Sequence, residues 1–110
     1  MTEAELQCAT IELARWLGYR CAHFGIGLSR KGWRTPAHGD AAGFPDLVLV
    51  GNGRVLYREL KVGRNRLTVE QGEWLEALEA AGCDVGVWRE LDWNAGAIEA
   101  ELRGEDEAAA

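Results

Sequence analysis

The sequence predicts an α/β domain, a small mixed β-sheet flanked by helices in the order αβββαβ, and three observations predict it. Residues 46–50 and 54–61 form two apolar runs joined by Gly51-Asn52-Gly53, the signal of an antiparallel hairpin. Residues 69–81 have the apolar spacing of a helix and separate the second run from a third, Val85, Val87 and Trp88. A strand, helix, strand unit permits the right-handed crossover that sets two strands parallel. Ahead of the hairpin, Thr2 and Glu5 have the spacing of a capping box, and Leu6, Ala9, Leu13 and Leu17 recur at helical intervals.

Taken in order, the first helix is expected over about 3–17, with Gly18 as its stop. Tyr19 to Phe24 suits a short strand. Residues 25–45 hold five glycines, Pro36 and Pro45 and few core-forming side chains, so they read as a long loop, which in compact domains is usually functional or disordered. The hairpin follows, with strands Asp46 to Val50 and Arg54 to Lys61. After a basic link, Thr68 and Gln71 form a second capping box, Trp74, Leu75, Leu78 and Ala81 give the apolar stripe, and Gly82 closes the helix. A short strand at 85–88 lies parallel to the Glu59 strand. Asp92 is read as the cap of a last helix over about 94–103. Residues 1–103 form one domain, and 104–110 an acidic tail expected to be disordered. There is no internal repeat.

One hundred and ten residues with 47% apolar and 27% charged side chains suit one soluble domain with a single core. No apolar stretch approaches the roughly 20 residues that span a bilayer, and Met-Thr-Glu-Ala-Glu lacks the basic start of a signal peptide, so a cytoplasmic protein without membrane association is expected. Cys8, Cys21 and Cys83 are odd in number and far apart, which suggests neither a disulfide framework nor a zinc site; they read as small buried hydrophobes. His23 and His38 are assigned no metal. The net charge of −6 counts at first against a nucleic-acid partner. Its distribution changes that reading. Glu99, Glu101, Glu105, Asp106 and Glu107 against Arg103 account for −4 of it, and no acid occurs between Glu12 and Asp40. That interval carries Arg15, Arg20, Arg30, Lys31 and Arg34, and Arg64 and Arg66 follow Lys61. Arg30, Lys31, Trp33 and Arg34 pair cations with an indole, which suits a phosphate backbone and a stacking base, and with Arg64 and Arg66 they are the candidate nucleic-acid-binding residues.

The chemistry concentrates in residues 43–61. Strand alternation sends Glu59 and Lys61 to one face while Leu60 points into the core, and antiparallel pairing brings Asp46 to the same end. Two carboxylates suit a hard divalent cation, and an ammonium beside them steadies charge on a phosphate. The competing readings are an Asx turn after Pro45 for Asp46 and a surface cross-strand pair for Glu59 and Lys61. Glu5 and Glu12 share a helix face. Glu5 has its capping box as an alternative role and Glu12 a solvated face, and the capping box also offers an account of Gln71.

Glu5-Leu6-Gln7, Gly43-Phe44-Pro45-Asp46-Leu47-Val48, Glu59-Leu60-Lys61, and Gln71 with Trp74, Leu78 and Gly82 together resemble the PD-(D/E)xK nuclease superfamily. Within it they are most similar to the compact VRR-NUC type found in phages and in the Fanconi-associated nuclease. The resemblance covers about residues 3–88; the Val-Arg-Arg string that names the type does not occur here. It implies a restriction-endonuclease-like core and a Mg²⁺- or Mn²⁺-dependent DNA endonuclease. Asp46 and Glu59 would be metal ligands with the Leu60 backbone carbonyl, Lys61 the catalytic lysine, Glu5 a metal or outer-shell carboxylate, and Gln71 a supporting group. Stand-alone phage members act as dimers on branched DNA, so the implied form is a homodimer cleaving Holliday-type junctions in a bacterial or phage-infected cell. The alternatives are a non-catalytic DNA-binding or assembly module on the same scaffold and, ranked lower, a restriction-type enzyme, for which 110 residues leave no target-recognition domain.

Overall fold

The computed structural model describes residues 1–24 and 39–105. Its elements run α1 (Glu3–Trp16), β1 (Arg20–His23), β2 (Leu47–Gly51), β3 (Arg54–Lys61), α2 (Val69–Ala80), β4 (Asp84–Arg89), α3 (Glu90–Asn94) and α4 (Ala97–Arg103). The strands form one mixed sheet in the order β1-β2-β3-β4, antiparallel except for the β3–β4 pair, which is parallel. Among the described residues no helix is long and apolar enough to cross a membrane.

Local chemistry sets most boundaries. Thr2 Oγ1 accepts the Glu5 N–H at 3.1 Å and Glu5 Oε1 accepts the Thr2 N–H at 2.8 Å, closing the first capping box. Helix α1 ends where Gly18 takes φ +96°, with Gly18 N–H donating to the Arg15 carbonyl and Tyr19 N–H to that of Ala14, a Schellman closure. Helix α2 ends the same way at Gly82. The hairpin turn has φ +51° at Asn52 and +75° at Gly53, both positive as a two-residue type I′ turn requires, and it pairs Gly51 with Arg54.

The core lies on one face of the sheet. Leu47, Leu49, Leu56, Leu60 and Trp88 meet Leu6 and Ala14 of α1 and Ile98 and Leu102 of α4. The hairpin end is tied down by the Tyr19 hydroxyl, which donates to the Leu102 carbonyl at 2.6 Å, and by Arg54, which donates to that of Glu101 at 2.9 Å. Arg58 stands in the core phase of β3. Its guanidinium bonds Asp84 Oδ1 at 2.8 Å and Glu101 Oε1 at 3.1 Å and lies 5.0 Å from the Trp88 ring centroid. Helix α2 lies over the opposite face, where Phe44 meets Phe24, Tyr57 and Trp74 edge-on at centroid distances of 5.3, 6.2 and 5.0 Å. Edge-to-face contacts of this kind suit the opposed charge of ring face and rim.

Three expectations change. The C-terminal segment is two helices, because Gly96 takes φ +79° and breaks the path between them. Asp92 therefore caps no helix at 94: its carboxylate accepts the Arg89 N–H at 2.8 Å in the first turn of α3. Cys8 is exposed on α1, and only Cys21 and Cys83 are half-buried. Helical periodicity turns Cys8 away from the Leu6, Thr10, Ala14 stripe that faces the sheet. Residues 106–110 of the expected tail lie outside the described residues.

Candidate active site

The register of the hairpin assembles the site. Leu47 pairs with Arg58 and Val48 with Tyr57, so the same register carried on sets Asp46 opposite Glu59 and Pro45 opposite Leu60. Asp46 does not add a rung to the ladder; its side chain replaces one, with Oδ2 accepting the Leu60 N–H at 2.9 Å. Proline has no N–H, so Pro45 gives none to the Leu60 carbonyl, which points to the same side of β3 as the Leu60 N–H. Each residue of the Gly43-Phe44-Pro45-Asp46 run thus has a distinct role. Gly43 has φ +85°, and a Cβ there would stand 2.6 Å from Glu70 and 2.8 Å from Gln71 N, so glycine alone admits the first turn of α2.

Glu59 and Lys61 share the face opposite the core, two residues apart. They do not form a surface pair: Glu59 is 2% exposed and Lys61 8%. Lys61 Nζ lies 3.8 Å from Glu59 Oε2. The same oxygen accepts Gln71 Nε2–H at 3.0 Å, while Gln71 Oε1 accepts the Thr68 N–H at 2.9 Å. Gln71 is therefore both a capping residue and a partner of Glu59. Glu59 Oε1 is buried and, among the described residues, meets no donor. Burial first, and then the negative charge of Asp46, push the Glu59 carboxyl up to about 8, against the pull of Lys61. A proton or a cation between the two carboxylates relieves the same conflict.

The donor set fits a hard divalent cation in one form and not in another. Among the described residues no three His, Cys, Asp or Glu side chains come together as a metal-binding group. The structure brings Asp46 and Glu59 to one place, but Glu5 does not join them. Its exposed carboxylate closes the α1 capping box, and its pKa is lowered mainly by the Thr2 N–H it accepts. Two carboxylates, a carbonyl and water are a sufficient set for Mg²⁺, which keeps several waters and commonly takes only one or two protein carboxylates. The orphaned Glu59 Oε1 is the buried acceptor that such an ion satisfies.

Arg64 and Arg66 are exposed on the link between β3 and α2. Arg30, Lys31, Trp33 and Arg34 lie outside the described residues. The sequence reading missed Arg58, although a signal was there: on a strand whose odd positions Tyr57, Glu59 and Lys61 share one face, Arg58 falls in the apolar phase with Leu56 and Leu60. A charge in that phase implies a buried ion pair. Comparison of the chain with protein-family models, curated proteins and solved structures found no match.

Proposed function

We propose that the protein is a divalent-metal-dependent phosphodiesterase acting on DNA, built on a restriction-endonuclease-like core. The observation that carries this reading is the buried Glu59 and Lys61 beside the half-buried Asp46, with one Glu59 oxygen that has no partner among the described residues. Burying such a group rarely stabilises a fold, and perturbed ionisable clusters concentrate at functional sites. In this reading Asp46 and Glu59 hold Mg²⁺ or Mn²⁺ with the Leu60 carbonyl. When bound, the cation makes a water more acidic and offsets charge on the phosphate. Lys61 adds a fixed positive charge for the phosphate oxygens as negative charge builds on them. Gln71 holds Glu59 in place. Arg64 and Arg66 lie one residue either side of Asn65, on the link that leaves the Lys61 end of β3, and supply phosphate contacts there. A homodimer with paired sites is the form that cutting two strands of a branched junction requires.

The test is incubation of the purified protein with four-way junction, flap, splayed and single-stranded DNA, with and without Mg²⁺ or Mn²⁺. Metal-dependent cleavage that disappears in Asp46→Ala and Lys61→Ala, with both variants folded, is the expected result. Inertness on every substrate in both metals would count against the enzyme, and DNA binding without metal or cleavage would favour the non-catalytic module. Light scattering settles the dimer.

A further inference from the structure

Gln71 is held at both ends of its amide. Its Oε1 accepts the Thr68 N–H at 2.9 Å, its Nε2 donates to Glu59 Oε2 at 3.0 Å, and its own N–H donates to Thr68 Oγ1 at 3.1 Å. A backbone N–H only donates, so the amide oxygen has to face Thr68 and the NH₂ group has to face Glu59. The cap thereby removes the flip that a free carboxamide has. Glu59 Oε2 is then engaged, with Lys61 Nζ 3.8 Å from it, while Oε1 stays buried without a donor among the described residues. Gly43 is the third part: its missing Cβ lets the turn that carries Gln71 close on the segment that carries Asp46.

We propose that Thr68 and Gln71 are positioning residues for the cation site. The capping box aims the Gln71 amide at Glu59 Oε2 and so dedicates Oε1 to the cation shared with Asp46. This rests on the phosphodiesterase reading above. Neither residue touches the reacting atoms; both act through Glu59.

Capping and positioning separate in one substitution. Gln71→Glu keeps the Thr-x-x-Glu form of the capping box, so the start of α2 is retained, but it has no NH₂ to give Glu59 and adds a like charge. Mn²⁺ binding, measured by titration calorimetry, is expected to weaken by about 10- to 100-fold, as loss of a ligand-orienting partner commonly does. Thr68→Ala is expected to weaken it in the same direction and Thr68→Ser to restore it, with circular dichroism checking that each variant is folded. Without metal, the Gln71 side-chain NH₂ resonances of ¹⁵N-labelled protein are expected to shift in Thr68→Ala and not in Thr68→Ser. Unchanged Mn²⁺ affinity in Gln71→Glu, or unmoved NH₂ resonances in Thr68→Ala, overturns the positioning role while leaving the metal site standing. Wild-type protein that binds neither Mn²⁺ nor Mg²⁺ overturns the site itself, and this inference with it.

Discussion

Replacing Glu59 by glutamine should remove a pH dependence that the wild-type fold carries. The Glu59 carboxyl moves from an ordinary 4.5 when unfolded to about 8 when folded, because it is buried beside Asp46. The folded chain therefore keeps a proton that the unfolded chain has released. Below the unfolded pKa both states are protonated and the group is neutral in its effect. Between 4.5 and about 8 stability falls as pH rises, and above 8 the full penalty is present. At about 1.4 kcal/mol per pKa unit, the loss across this window is on the order of 5 kcal/mol. That is comparable to the whole stability of many small domains, roughly 5–15 kcal/mol. Glutamine mimics the neutral acid and has no proton to lose.

Urea unfolding followed by tryptophan fluorescence at half-unit steps from pH 5 to 9 measures both proteins. The difference in unfolding free energy between Glu59→Gln and wild type should grow steadily through this range and level off above pH 8. A cation that binds the ionised pair acts in the opposite sense, so saturating Mg²⁺ should flatten the wild-type curve and leave that of Glu59→Gln unchanged. A difference that stays level with pH refutes the reasoning, because it places the Glu59 carboxyl in the ordinary carboxylate range and its oxygens in water.

Gly43→Ala has to move α2 or its own segment, since its Cβ meets Glu70 at 2.6 Å from a backbone at φ +85°; a loss of roughly 2–4 kcal/mol in urea unfolding is expected. Arg58→Ala leaves the half-exposed Asp84 and the partly exposed Glu101 without their cation and frees two backbone carbonyls, and a loss of about 1–3 kcal/mol is expected, with loss of cleavage only in proportion to unfolding. If Arg64 and Arg66 contact phosphates, the Arg64→Ala and Arg66→Ala double variant should bind DNA more weakly whatever its sequence and lower the slope of log affinity against log salt by about 2, measured by fluorescence anisotropy. Glu59→Met with Lys61→Met, which removes both buried charges together, is expected to raise stability by about 1–4 kcal/mol at pH 8 while abolishing cleavage.

The hairpin, α2 and the parallel β4 were legible because each is announced by local chemistry. An Asn-Gly pair fixes the turn, two Thr-led capping boxes fix helix starts, and glycines at positive φ fix helix ends. Strand periodicity also placed Glu59 with Lys61, and the hairpin register added Asp46. What was not legible depends on packing across the chain. The depth of Glu59 follows from α2 closing over the sheet through Gly43, a contact of residues 27 positions apart with no local signature. The split of the C-terminal helix turns on Gly96, whose left-handed conformation a sequence window reads only as a weak spot. Glu5 has the spacing for both a cap and a ligand, and spacing alone does not show that its carboxylate closes the cap.

The two buried charge clusters show why one reads as structure and the other as function, although they lie on opposite faces of the same strand. Arg58 is matched: its guanidinium reaches two carboxylates and two backbone carbonyls and stacks on Trp88, so its charge is answered by neighbours that the fold already holds. Such a network costs desolvation but leaves nothing for a ligand to add. On the other face, Glu59 and Asp46 stand together with one ammonium, Lys61 Nζ at 3.8 Å from Glu59 Oε2, and among the described residues Glu59 Oε1 has no donor. The imbalance is negative and localised, and the Gln71 NH₂ group donates to the oxygen that Lys61 already approaches. A fold selected only for stability would lose these groups to apolar residues of similar volume, as the Glu59→Met and Lys61→Met variant is designed to show. Their presence on the strand that leads into the exposed Arg64 and Arg66 is what the proposed site, completed by a cation and an anionic polymer, would need.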